Sequence, residues 1–309
     1  MGTTALLFAG QGAQTVGMGK DIAEAWDVAR GVFDMADEAL SFDLTRIMFE
    51  GPAEELNSTE NAQPAVLAMG IACLRVLEAE GKTPETAMAA GLSLGEYGAL
   101  VAAGALGDRD ALRLVRRRGE LMRDAGIANP GTMASVLGLS RQLTAEACRE
   151  ASALGVVAPA NYNSPGQIVI SGMHEAVGKA SELCKAKGAK RVVPLKVSGA
   201  FHTPLMQPAA DGLAEALSGV EIKPCAFPVI ANATAGPVAQ PDEIRARLLE
   251  QLTGPVLFED SIQKMVADGV TRFVELGPGK VLSGLIRRID RGVETAPHNT
   301  AEALSGFQA

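Results

Sequence analysis

The sequence predicts an α/β protein: a large part built on a parallel sheet, interrupted by a small inserted unit. Three observations carry the prediction. Short apolar runs end on glycine turns and give way to helical patterns. Between residues 132 and 196 the order reads β-α-β-β-α-β. The composition, 47% hydrophobic with 34 glycines spread between apolar runs and only 4% aromatics, suits tightly turned strand–helix connections.

Residues 4–9, T-A-L-L-F-A, form a first buried strand that stops at G-Q-G. Helical patterns follow at 21–35 and 64–80, the second opening with Pro64 as a first-turn residue. Residues 86–91 are the next strand, followed by a serine turn. A helix over 94–103 is closed by Gly104 as a C-cap, and another covers 109–123. N-P-G at 129–131 then breaks the chain. The inserted unit runs as strand 132–138, helix 142–153, strand 156–161, strand 167–172, helix 174–187 and strand 190–196, the order of a ferredoxin-like subdomain. The domains are therefore 1–128 with 197–309, and the insertion 129–196. The large domain resumes with strands at 228–232 and 271–276, then G-P-G and an amphipathic helix over 280–289. The tail beyond Arg291 reads as weakly ordered.

A net charge of −8 argues against a nucleic-acid partner, because phosphate binding needs a positive field. No uncharged apolar stretch reaches the roughly 18 residues of a membrane span. The N-terminus lacks the basic region of a signal peptide, and Leu6 stands where a myristoylation site needs Ser or Thr. Cys73, Cys148, Cys184 and Cys225 are far apart, without a C-x-x-C pair. Free thiols in a reducing cytoplasm are expected, with no metal.

The chemistry starts at G-L-S-L-G, residues 91–95. In a strand–G-x-S-x-G–helix turn the serine backbone is strained, its Oγ stands clear of the sheet, and glycines remove colliding Cβ atoms. The following helix N-terminus offers free N–H groups, that of Leu94 first among them, to an oxyanion. With this much glycine, about 0.2 chance matches are expected, so the context adds weight that the motif alone lacks. A plain packing turn is the alternative. A serine needs a base, and there are three histidines. His298 lies in polar A-P-H-N-T and reads as solvated, and His174 reads as a surface residue at a helix start. His202, in apolar V-S-G-A-F-H-T-P-L-M, fits the base. The group that orients it could be a carboxylate or a main-chain carbonyl. A base at two-thirds of the chain disfavours a simple esterase, whose histidine comes near the end. F-A-G-Q-G-A-Q-T at 8–15 fails the dinucleotide pattern because Thr15 takes the third glycine position. It can instead present a main-chain N–H opposite Leu94.

Together these segments resemble the malonyl-CoA:acyl carrier protein transacylase family. The resemblance runs from Leu6 to about Ile289 and rests on G-Q-G-A-Q-T-V-G-M-G (10–19), N-A-Q-P-A (61–65), G-L-S-L-G-E-Y-G-A-L (91–100), R-R-G-E-L-M (117–122), N-Y-N-S-P-G-Q-I-V-I-S-G (161–172), G-A-F-H-T-P-L-M (199–206) and V-E-L-G-P-G-K-V-L (274–282). It implies a hydrolase-like α/β core with an inserted ferredoxin-like subdomain. Ser93 matches the acylated serine and His202 the base. Gln11 and Leu94 match the oxyanion donors, and Gln251 the residue whose main-chain carbonyl orients the histidine. Arg118 matches the arginine that grips the malonyl carboxylate, and Gln63 a pocket residue. Leu92 replaces the histidine that many members carry before the serine.

The resemblance further implies transfer of a malonyl group from malonyl-CoA to the phosphopantetheine thiol of acyl carrier protein, with no cofactor, by a monomer. A polyketide acyltransferase acting in trans, or a serine thioesterase, is the alternative. Arg118 sits in R-R-R (116–118), whose members cannot all share one helix face. A planar guanidinium suits a carboxylate that an acetyl group lacks. Phe201 resembles the bulky residue of malonyl-selective members, with a plain core role as the alternative. The basic run K-A-K-G-A-K-R (185–191) is a candidate docking segment for an acidic carrier, or an ordinary solvated helix end.

Overall fold

The computed structural model describes residues 3–308, so Met1, Gly2 and Ala309, which the predicted domain limits include, lie outside the described residues. Ten strands occur among them: β1 (Thr3–Phe8), β2 (Thr86–Gly91), β3 (Thr132–Leu137), β4 (Val157–Ser164), β5 (Gln167–Gly172), β6 (Arg191–Pro194), β7 (Val229–Ile230), β8 (Pro237–Val238), β9 (Val270–Leu276) and β10 (Glu294–His298).

They make two sheets. The larger has the order β10-β9-β1-β2-β7-β8 and the smaller β4-β5-β3-β6. In the larger sheet every neighbouring pair is parallel except β7 with β8. Parallel strands need helical crossovers that cover both sheet faces, and β1 shows the result. Leu6 and Phe8 enter one apolar core, Ala5 and Leu7 the core on the opposite face. The smaller sheet is antiparallel throughout. It has its own core, to which Cys148 on the helix Arg141–Ala151 and Cys184 on the helix His174–Ala186 contribute.

Register sets up the site. Phe8 of β1 lies beside Gly91 of β2, and Ala89 of β2 beside Val229 of β7. The carboxyl ends of these three parallel strands therefore open on one edge, where α/β sheets hold their ligands. The helix Arg141–Ala151 is tied to the helix Phe258–Ala267 by Arg141, whose guanidinium bonds both Glu259 and Asp260 at 2.9 Å and lies 4.6 Å from the centre of the Tyr162 ring on β4. Main-chain bonds from Val256 N to Ala160 O and from Tyr162 N to Val256 O continue the junction.

Three expectations are corrected. The helix expected over 21–35 is two helices, Lys20–Ala25 and Asp27–Leu40, because Trp26 adopts an extended backbone. Its indole N–H reaches Glu80 at 3.1 Å. The helix expected from Pro64 begins earlier, at Thr59, and runs to Ala79 with Pro64 inside it. Proline leaves the carbonyl one turn back without its helical donor, and Arg116 Nη1 supplies one to Glu60 O at 3.0 Å. This helix is long and apolar enough to cross a membrane, but 83% of its apolar window is buried inside the protein.

The third correction concerns the tail. It is structured, with β10 pairing along β9 and Leu304 and Phe307 buried in the main core. His298 is accordingly half-buried and not freely solvated: its ring packs edge-on against Phe307 at 4.7 Å. Polar E-T-A-P-H conceals this strand because an edge position tolerates both proline and exposed side chains.

Candidate active site

Ser93 stands just beyond the end of β2, at the start of the helix Gly95–Ala102. Its φ is 53°, a left-handed conformation that costs a non-glycine residue about 1–2 kcal/mol. The flanking glycines are dictated by crowding. A Cβ on Gly91 would lie 2.0 Å from the Gly95 carbonyl carbon, and one on Gly95 2.0 Å from Phe8 O. The loop after β1 packs against the same turn, since a Cβ on Gly10 would come within 2.4 Å of Leu92 O.

Ser93 Oγ lies 2.9 Å from His202 Nε2. His202 is also left-handed, with φ 60°, and is buried. Its Nδ1 lies 2.7 Å from the main-chain carbonyl of Gln251. A carbonyl only accepts, so Nδ1 carries the proton and Nε2 offers its lone pair to the serine hydroxyl. Burial, and secondarily the charge on Arg118, hold the imidazole down to about pKa 4 against the opposing pull of the Gln251 carbonyl.

Arg118, on the helix Asp108–Ala128, is only 1% exposed. Arg116 and Arg117 point elsewhere: one serves Glu60 O and Glu120, the other is exposed beside Glu120. Arg118 Nη1 donates to Gln63 Oε1 at 2.6 Å, and Nη2 to Gln251 Oε1 at 2.9 Å and Ser93 Oγ at 3.0 Å. Its Nε has no hydrogen-bond partner among the described residues. Burial lowers its affinity for the proton, opposed by nearby Tyr97 and Glu96.

Gln63 also donates to Met122 Sδ at 3.4 Å. Gln11 follows β1 and is tied by its side chain to Thr59 Oγ1 at 3.3 Å. Neither the Gln11 nor the Leu94 main-chain N–H donates to a protein acceptor among the described residues. Phe201 is buried in the main core beside His202. The structure thus brings Ser93, His202, Gln251, Arg118 and Gln63 into one connected network, with Leu94 next to the serine and Gln11 in the loop whose Gly10 packs against Leu92. Phe201 makes core contacts instead.

Two residues escaped the sequence reading. Asn232, just past β7, accepts from Ser93 N at 2.6 Å and donates to Gly91 O at 2.8 Å. Glu96, a buried acid on an otherwise apolar helix, accepts through Oε2 from Asn232 N at 2.9 Å and Gln251 Nε2 at 2.7 Å. Burial pushes its carboxyl up to about 7, against the hydrogen bonds from Asn232 and Gln251 and the charge on Arg118. A lone acid in apolar G-E-Y-G-A-L was the available signal. No group of three or more His, Cys, Asp or Glu suited to a metal occurs among the described residues.

The model of the acyl transferase domain family matches residues 5–305. The chain belongs to this acyltransferase family. Among this acyltransferase's relatives is the malonyl CoA-acyl carrier protein transacylase of Bacillus subtilis strain 168, 48% identical over 98% of this chain and 96% of that one. The protein of the same name from Escherichia coli K12 is 45% identical, covering 97% of both chains. An acyl carrier protein S-malonyltransferase from Vibrio cholerae superposes with TM-score 0.96 at 42% identity, covering 99% of this chain and 100% of that chain. A malonyl-transacylase solved in complex with its type II PKS acyl-carrier protein superposes at 0.95 with 41% identity, covering 98% of each. The hydrolase-like α/β fold with a separate small antiparallel sheet is thus that of the solved malonyltransferases.

Proposed function

We propose that this acyltransferase moves a malonyl group from malonyl-CoA to the phosphopantetheine thiol of an acyl carrier protein through an ester on Ser93. The observation that carries the reading is Arg118: a buried guanidinium 3.0 Å from the nucleophile, its Nε free of protein partners among the described residues. A buried cation beside a serine suits a substrate that brings its own anion. An uncharged acyl group would leave that cation unpaired, which is the basis of discrimination.

In the first half-reaction, Ser93 Oγ gives its proton to His202 Nε2 and bonds to the thioester carbonyl carbon. The oxygen of that carbonyl becomes an oxyanion, for which the Gln11 and Leu94 N–H groups are the donors. The carbon–sulfur bond then breaks, and the CoA sulfur leaves with the proton that His202 returns. The second half-reaction reverses these steps with the carrier thiol as nucleophile and Ser93 as leaving group. Nothing in either half requires a cofactor.

The insertion 129–196 is read as a subdomain facing the large domain 1–128 and 197–309. Within the basic run, Lys187 is engaged by Glu146 and Glu150, so the docking reading passes to exposed Lys185, Lys190 and Arg191. These suit an acidic carrier in a chain of otherwise negative balance. Phe201 is read as a limit on acyl branching from its place next to His202.

The test is intact-mass analysis after exposure to malonyl-CoA or acetyl-CoA. A malonyl adduct on the parent, its absence from Ser93→Ala, and release of the adduct by holo carrier protein are expected. Release of free malonate in place of transfer to the carrier would make the protein a thioesterase.

A further inference from the structure

The hydrogen bonds around the serine turn converge on one atom that the transfer chemistry itself does not use. Ser93 must hold a left-handed backbone, φ 53°, for its Oγ to face His202. Both of its main-chain groups are gripped by side chains from elsewhere in the sequence. Its N–H donates to Asn232 Oδ1 at 2.6 Å, and its carbonyl accepts from Gln251 Nε2 at 3.0 Å. Asn232 also ties the turn to Gly91 O at 2.8 Å. The two gripping residues are in turn held by one carboxylate oxygen, Glu96 Oε2, which takes the Asn232 main-chain N–H at 2.9 Å and the Gln251 amide at 2.7 Å. Glu96 is 1% exposed and Asn232 and Gln251 are fully buried, so the carboxylate and both gripping side chains lie inside the protein while Ser93 itself is half-buried.

We propose that Glu96 is a positioning residue for acyl transfer, holding Asn232 and Gln251 so that they clamp Ser93 at both its N–H and its carbonyl and thereby aim Oγ at His202. The inference rests on the reading of Ser93 as nucleophile and adds a residue that never touches the acyl group. Asn232 is the second arm of the same clamp. The role needs an acceptor that can take two N–H bonds at one oxygen, which a carboxamide also provides.

The consequence is a division among kinetic constants. Misaiming a nucleophile by a fraction of an ångström slows the chemical step and leaves substrate binding in place. Glu96→Ala and Asn232→Ala are therefore expected to lower kcat about 100-fold with KM for malonyl-CoA within about threefold of the parent. Glu96→Gln keeps the acceptor and is expected within about fivefold of the parent kcat. Each rate is taken per folded molecule, from near-ultraviolet dichroism and the cooperative thermal transition.

A second readout is independent of malonyl-CoA: phosphonylation of Ser93 by a small fluorophosphonate. It should slow in both alanine variants and recover in Glu96→Gln. If the parent phosphonylates but takes no malonyl group, the proposed substrate is wrong, and the phosphonylation rates alone decide the role of Glu96. Alanine variants that lose only melting temperature, with kcat and phosphonylation per folded molecule intact, overturn the proposal. So does a loss that falls on KM, or a Glu96→Gln as slow as Glu96→Ala. If Glu96→Ala does not fold, Asn232→Ala and Glu96→Gln carry the same decision.

Discussion

His202 donates its Nδ1 proton to the main-chain carbonyl of Gln251 at 2.7 Å, so the orienting group of the base survives any side-chain substitution at position 251. The side chain of Gln251 has separate duties, bonding Arg118, Glu96 and the Ser93 carbonyl. Gln251→Ala should keep the Nδ1–H tautomer, read by nitrogen NMR of the imidazole. Malonyl transfer should fall about 10- to 100-fold through the loss of a hydrogen bond to a charged group. A switch of tautomer in this variant would show that the carbonyl is not the orienting group.

Arg118→Ala should cost about 100-fold in kcat/KM for malonyl-CoA, the worth of paired charge-assisted hydrogen bonds, and leave the slow acetyl-CoA reaction within about threefold. Arg118→Lys should recover only part of the loss, because an ammonium cannot match the two carboxylate oxygens in one plane. The measurement is acylation of Ser93 with both thioesters in parallel. Equal losses for both would assign Arg118 to serine activation alone.

With its imidazole held down at about 4, His202 stays neutral well below the range of an ordinary histidine, and only neutral imidazole accepts the serine proton. Single-turnover acylation at pH 5.5 should therefore stay within about twofold of its value at pH 7.5. An inflection near the ordinary histidine value of 6.5 would contradict the burial argument.

Within the site, stability carries two opposing slopes. The folded pKa of His202 lies below the unfolded value, so the unfolded chain binds more protons between about 4 and 6.5, and stability is lost as pH falls through that window. Glu96 is raised from 4.5 to about 7. Its contribution is full below pH 4.5 and is lost as pH rises through 7. Glu96→Gln removes the second slope and should gain stability relative to the parent as pH rises from about 4.5 to 7, as followed by urea unfolding. Parallel curves for the two proteins would refute the assignment.

Gly95→Ala and Gly178→Ala make opposite tests of backbone crowding. A Cβ at 95 would meet Phe8 O at 2.0 Å, whereas one at 178 would meet nothing within 4 Å. The first should cost at least about 4 kcal/mol or prevent folding. The second, on an exposed helical position, should add about 0.5–1 kcal/mol.

The serine turn was legible because steric necessity leaves residue types behind: only glycine fits at 91 and 95. His202 was legible because so few histidines compete for the role. The orienting group could not be identified from the residues alone, since a main-chain carbonyl carries no side-chain signature; only the family resemblance pointed to Gln251. Asn232 and Glu96 lay hidden because their partners come from distant segments and from main-chain atoms. The extended backbone at Trp26 and the early start of the helix Thr59–Ala79 were missed for a related reason. Each is accompanied by a bond to a distant segment, Glu80 in one case and Arg116 in the other. The edge strand β10 was missed because half-exposed pairing leaves little apolar periodicity.

Packed helices are rods that can slide along one another. Arg116, by filling the acceptor vacated at Pro64, pegs two of them at a single level. Immediately beside that peg, Gln63 and Arg118 meet at 2.6 Å. Lengthening or wearing away either rod at its distant ends leaves this meeting point where it is. Pockets for other acyl groups on the same scaffold would then arise by exchanging side chains at a stationary level, and not by shifting one rod against the other.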